Sequence, residues 1–135
     1  MLKKSTIIAL SLSITSVLVG ATQIKANPSQ EIAQRVDCNN ANNTPAINYC
    51  AAESYKAADR RLNQVYRQLS STVSGEQKRK LIDAQQTWIQ YRDRNCNFET
   101  FGSRGGTGYG AFLTGCLERM TKQRTADFER FMSER

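Results

Sequence analysis

A chain of 135 residues with four cysteines, no histidine, and 19 basic against 12 acidic residues holds one small domain and leaves no room for a second core. The absence of histidine excludes Ser-His and Cys-His nucleophile pairs. The net charge of +7 includes Lys3, Lys4 and Lys25 of an N-terminal leader, and what remains does not argue for a nucleic-acid partner.

The leader comes first. Lys3 and Lys4 form a basic head, and residues 5–20 are apolar or small. Small-residue cleavage sites follow at Ala21 and at Ala26, so residues 1–26 read as a secretory signal peptide. The apolar run is shorter than the ~20 residues that a spanning helix needs. No cysteine near either site could take a lipid, so no stable membrane anchor is expected after cleavage. The destination is periplasmic or secreted. From Asn27 onward, 16 basic residues meet 12 acidic ones.

Residues 27–37 are polar and read as a flexible N-terminal segment, leaving 38–135 as the helical domain. The cysteines are Cys38, Cys50, Cys96 and Cys116. An even count in a small exported chain predicts two disulfides. Of three possible pairings, Cys38–Cys50 with Cys96–Cys116 is expected, because each closes a short local loop. A metal site is not expected, with no histidine and no Cys-x-x-Cys.

Thr44-Pro45 reads as an N-cap followed by proline in the first turn, opening a short helix over 46–52. A second helix over 54–71, either separate or continuous with the first, carries the stripe Tyr55, Ala58, Leu62, Val65 and Leu69. The connection 71–75 is short enough to make the next helix an antiparallel neighbour. That helix, over 76–101, repeats Leu81, Ala84, Trp88 and Tyr91, with Ile82, Gln85 and Ile89 beside them. Within it, AQQTWIQYRDRNC places Trp88, Arg92 and Cys96 at successive i, i+4 positions on one stripe.

Residues 102–110 hold five of the eight glycines and read as a loop at the base of which Cys96–Cys116 would act as a staple. No Gly-Lys-Ser/Thr follows, so phosphate cradling is not supported. A last helix over 111–132 presents Phe112, Leu113, Cys116, Leu117, Met120, Phe128 and Phe131. Strand patterns are absent. The fold class is all-α: a small bundle of three main helices plus a short N-terminal helix, with two disulfides.

Candidate chemistry is thin. Asp59, Asp83, Asp93 and Glu99 could supply a carboxylate pair for glycoside chemistry, but ordinary salt bridges account for them. No cofactor is expected, and the chain does not read as an enzyme. An Asp59–Arg92 pair across the helix interface would fix register more than it stabilises.

These residues carry a resemblance. Cys38…Cys50, Asp59-x-x-Leu62-x-x-x-Tyr66, Gln85-x-x-Trp88-x-x-x-Arg92-Asp93-x-x-Cys96, a Gly-rich segment and Cys116…Arg124 resemble the lysozyme inhibitor LprI-like N-terminal domain. The resemblance covers about residues 38–128. It implies an exported helical domain with two disulfides, and a function of binding lysozyme. The family's namesake is a lipoprotein, whereas this chain has no lipid-attachment cysteine. The shared residues read as scaffold, so fold transfers more safely than inhibition.

Two functions follow. A lysozyme inhibitor would act without chemistry, through a recognition loop carrying Ser103, Arg104, Thr107 and Tyr109. A periplasmic adaptor would instead contact an envelope protein or an anionic polymer through Arg60, Arg61, Arg67 and Lys78 to Lys80, if these converge.

Overall fold

The computed structural model describes residues 36–135. The leader and residues 27–35 lie outside the described residues. Helix α1 spans Thr44–Thr72, α2 spans Gly75–Glu99, a 3-10 turn covers Phe101–Ser103, and α3 spans Tyr109–Ser133. No strand occurs among the described residues. None of their helices is long and apolar enough to cross a membrane.

The expected helices over 46–52 and 54–71 are one helix. No glycine or proline separates them, and Ala51, Ala52 and Glu53 favour helix, so propagation continues. The cap lies one residue earlier than expected. Asn43 is extended, and its Oδ1 accepts from the Ala46 amide at 3.0 Å. Asn caps at least as well as Thr, and Pro45 fits the first turn behind it. We expect Asn43→Ala to destabilise the domain by about 1 kcal/mol in a urea titration; Thr44→Ala should change it far less.

Val73 and Ser74 join α1 to α2. Gly75 sits at φ +54°, in the left-handed region that suits glycine. The chain then runs up, down and up. Ser54 Oγ donates to Glu118 at 2.6 Å and Arg135 donates to Thr72 at 3.1 Å, so α1 and α3 lie parallel along their whole lengths. Arg124 meets Gln85, and Cys96 meets Cys116, so α2 runs antiparallel to α3.

The tightest packing joins α1 to α3, not α1 to the antiparallel neighbour α2. Small side chains explain why. Ala58, Thr121 and Thr125 are all buried and let the two backbones approach. The apolar core is Leu62, Val65, Leu69, Val73 and Phe128, edged by Tyr66, Leu81, Trp88 and Met132. The stripe predicted for α1 is therefore the core face.

The stripes expected on α2 and α3 need correction. Ala84 and Tyr91 are exposed, and the buried residues of α2 are Gln85, Arg92 and Cys96. Phe112 and Phe131 of α3 are exposed, and Thr121 and Thr125 take inward positions. The face that α2 turns inward is set by the disulfide and by Arg92, four residues apart, rather than by apolar periodicity.

Candidate functional site

Both disulfides pair as expected. Cys38–Cys50 has its Cα atoms 5.5 Å apart and ties the turn before α1 to that helix. In that turn Asp37 accepts from the Asn39 amide at 2.9 Å and from Asn40 Nδ2 at 2.7 Å. These bonds hold the Asp37 carboxyl below its ordinary pKa. Cys96–Cys116, with Cα atoms 5.6 Å apart, joins the end of α2 to the second turn of α3. Both of its cysteines are buried, and Arg119 pairs with Glu99 beside it at 2.7 Å.

The glycine-rich segment closes over this bridge as a series of turns. Ser103, Gly106 and Tyr109 amides donate to the carbonyls of Thr100, Ser103 and Gly106 at 3.0 to 3.1 Å. Gly105, at φ +81°, makes the reversal possible. The loop is shorter than the expected 102–110, because the 3-10 turn takes its start and α3 begins at Tyr109.

A clamp from α1 holds the segment. Asn48 Nδ2 donates to the Thr107 carbonyl at 2.8 Å, and Asn48 Oδ1 accepts from the Ala111 amide at 2.9 Å. Sequence patterns carried no sign of this residue, because its partners lie about sixty positions away. Asn48→Ala should leave the melting temperature within a few degrees, since only two partly exposed hydrogen bonds are lost. It should speed exchange of the Ala111 amide, measured by hydrogen–deuterium exchange.

The four loop candidates fare differently. Arg104 and Thr107 are exposed, while Ser103 and Tyr109 are half-buried. The Arg104 guanidinium lies 4.8 Å from the Phe101 ring centre and donates to Asn97 Oδ1 at 3.4 Å. It meets no carboxylate among the described residues.

The other constellation is internal. Trp88 lies between two guanidiniums, Arg92 at 5.2 Å and Arg124 at 5.6 Å from its ring. Arg92 is 7% exposed. It donates to Asp93 through Nη2 at 2.8 Å and Nε at 2.9 Å, and to Thr121 Oγ1 at 3.3 Å. Asp59 stands 4.0 Å from Nη1, so the expected Asp59–Arg92 pair forms only at its outer limit, and Asp93 is the main partner. Tyr55 completes the enclosure, with Arg92 5.7 Å from its ring. Burial raises the Tyr55 hydroxyl pKa, against the opposing pull of Arg92.

Arg124 covers Phe128 at 4.3 Å and donates Nε to Gln85 Oε1 at 3.1 Å. Burial lowers its pKa from the usual arginine value. Leu62 lies in the core, and Tyr66 packs on its edge with its ring 6.1 Å from Phe128. Of the motif residues, Leu62, Tyr66, Trp88 and Arg92 lie in or against the packed interior, while Asp59 and Asp93 stand half-exposed at its edge; all are away from the loop candidates. The basic residues of α1 and α2 do not converge on a single depression. Arg60 and Arg67 line one with Asn63 and Gln64, whereas Lys80 lines a groove with Leu69, Leu81 and Phe131. Arg61 is paired with Glu129. Among the described residues, no group of three or more acidic or cysteine side chains is placed to hold a metal.

A family model described as "Lysozyme inhibitor LprI" matches residues 37–128. The chain is 33% identical over 109 residues to an uncharacterized protein of Rhizobium meliloti (strain 1021), covering 71% of this chain and 78% of that protein. No solved structure matches.

Proposed function

The chain belongs to the lysozyme inhibitor LprI family, and from that membership we propose that it is an exported, non-catalytic protein that binds a lysozyme and blocks its cleft. Residues 1–26 serve as its signal peptide in this reading, and the two disulfides suit an oxidising destination. The observation that supports it most is Arg104: an exposed guanidinium, free of carboxylates among the described residues, on a segment fastened by Cys96–Cys116 and by Asn48. A lysozyme cleft carries two carboxylates. A guanidinium presented to them makes a charge-assisted contact, and a fastened segment loses little entropy in making it.

The test is a cell-wall lysis assay with the oxidised protein, titrated against lysozymes of several structural types. Dose-dependent inhibition is expected. Arg104→Ala should weaken it about tenfold or more. A folded, helical, oxidised protein that inhibits no lysozyme would end this reading. The adaptor reading rests on a separate observation: Arg60 and Arg67 share one depression of α1 with Asn63 and Gln64. Retention on an acidic polymer that disappears with salt and with Arg60→Glu/Arg67→Glu would favour it.

A further inference from the structure

Helix α2 stands apart from the other two. It buries only Gln85, Arg92 and Cys96, all on one side. Its opposite side, with the turn just beyond it, carries three exposed aromatics. Phe98 is 83% exposed, Phe101 just beyond the helix 64%, and Tyr91 58%. Tyr91 and Phe98, seven residues apart, fall on the same stripe. With Thr87, Gln90, Arg94 and Asn95 they line a shallow depression of about 360 Å³. Phe101 extends this surface toward Arg104, which lies over its ring.

This surface also carries free positive charge, as α1 does at Arg60 and Arg67, but here the guanidiniums stand beside exposed aromatics. Arg61, Arg92, Arg119 and Arg130 each have a carboxylate partner. Among the described residues, Arg94 and Arg104 have none, and they flank Phe98 and Phe101 in the chain. Exposed aromatics interleaved with unpaired guanidiniums are the composition of binding hot spots. A contiguous patch of this kind on a small domain also needs a reason to remain uncovered.

We propose that the outer face of α2, from Tyr91 through Phe101, is a protein-binding surface for the acidic cleft of a lysozyme. Phe98 is its apolar anchor, and Arg94 acts together with Arg104 as a pair of carboxylate receptors. The identity of the occupant rests on the inhibitor reading above. Charge selects it: two unpaired guanidiniums call for an acidic partner, and a glycosidase cleft holds its carboxylates in a concave site. A second copy of this chain fits less well, because an isologous contact would gather two copies of the same unpaired guanidiniums in one interface with no carboxylate from this face to meet them.

The experiment compares Phe98→Ala, Arg94→Glu and Arg60→Glu with the unaltered protein, against a lysozyme that the latter inhibits. Inhibition and direct binding by calorimetry are both read. Phe98 and Arg94 are exposed, so their variants should keep the circular dichroism and melting temperature of the parent. Each should weaken binding about tenfold or more, while Arg60→Glu, on α1, should change it less than about twofold. If Phe98→Ala and Arg94→Glu bind as the parent does, this surface is wrong and the inhibitor reading survives. If the parent inhibits no lysozyme, both fall. If sedimentation shows self-association that depends on Phe98 while lysozyme binding does not, the surface belongs to a second copy and the proposal is overturned.

Discussion

Replacing both cysteines of the second bridge, as Cys96→Ser/Cys116→Ser, is expected to lower the unfolding free energy by more than about 3 kcal/mol. The chain-entropy contribution alone is about 3 kcal/mol for a closure of this length. The sequence separation is 20 residues for this bridge and 12 for Cys38–Cys50, so that contribution is nearly the same for both. Burial separates them. Cys96 and Cys116 lie inside, where serine hydroxyls would need hydrogen-bond partners, whereas Cys38 is exposed. Cys38→Ser/Cys50→Ser should therefore cost less. Urea unfolding of the two double variants decides it, and equal losses would show that burial contributes nothing. If the protein inhibits a lysozyme as proposed, the first variant should also lose that inhibition at temperatures where it remains helical, because the glycine-rich segment loses its anchor.

The second large effect lies at Arg92. Truncation by Arg92→Ala removes one face of the Trp88 stack and leaves the buried Thr121 hydroxyl without its donor. We expect a loss of about 3 kcal/mol, from lost packing and an unsatisfied buried group. The two halves of that loss can be separated. Arg92→Met keeps most of the volume, and Thr121→Val removes the polar group that Arg92 serves. The double variant Arg92→Met/Thr121→Val should be more stable than the sum of its single variants predicts, by about 1 kcal/mol in a double-mutant cycle. Asp59→Asn, at the outer limit of the ion pair, should shift stability by less than about 0.5 kcal/mol. Strict additivity would remove the Arg92–Thr121 bond from the account.

Much of this fold is readable along the chain, and the limits have a physical origin. The stripe Tyr55, Ala58, Leu62, Val65 and Leu69 marks the inward face of α1, with every member but the half-buried Tyr55 buried. The disulfides follow from loop length. Helix α2 resists the same treatment. Its inward face is an amide, a guanidinium and a sulfur, so apolar periodicity points to Ala84 and Tyr91, which face water. The stripe through Trp88, Arg92 and Cys96 is the better guide, because a cysteine in a bridge must face its partner. What no local pattern carries is which helices touch. The approach of α1 to α3 depends on Ala58, Thr121 and Thr125, small residues that look neutral in sequence. Asn48 and the Arg124–Gln85 contact are equally invisible, since each joins segments distant in the chain. Among the loop candidates, position is legible and exposure is not: Arg104 projects, while Tyr109 is half-buried as the first residue of α3.

The close packing of the first helix on the last has a consequence for how the protein is made. A chain emerging vectorially presents Leu62, Val65 and Leu69 long before Phe128 exists to cover them. Helix α2 supplies only Leu81 and Trp88, at the edge of that core. The hydrophobic core therefore cannot close until nearly all of α3 has been delivered, and the contacts that close it join residues about sixty positions apart. Such long-range closure slows folding relative to a bundle of sequential neighbours. It also keeps the nascent chain open during synthesis, the state in which a polypeptide can be threaded through a narrow translocation pore. A shortened chain ending before Tyr109 would emerge as two helices, without Phe128 to cover Leu62, Val65 and Leu69.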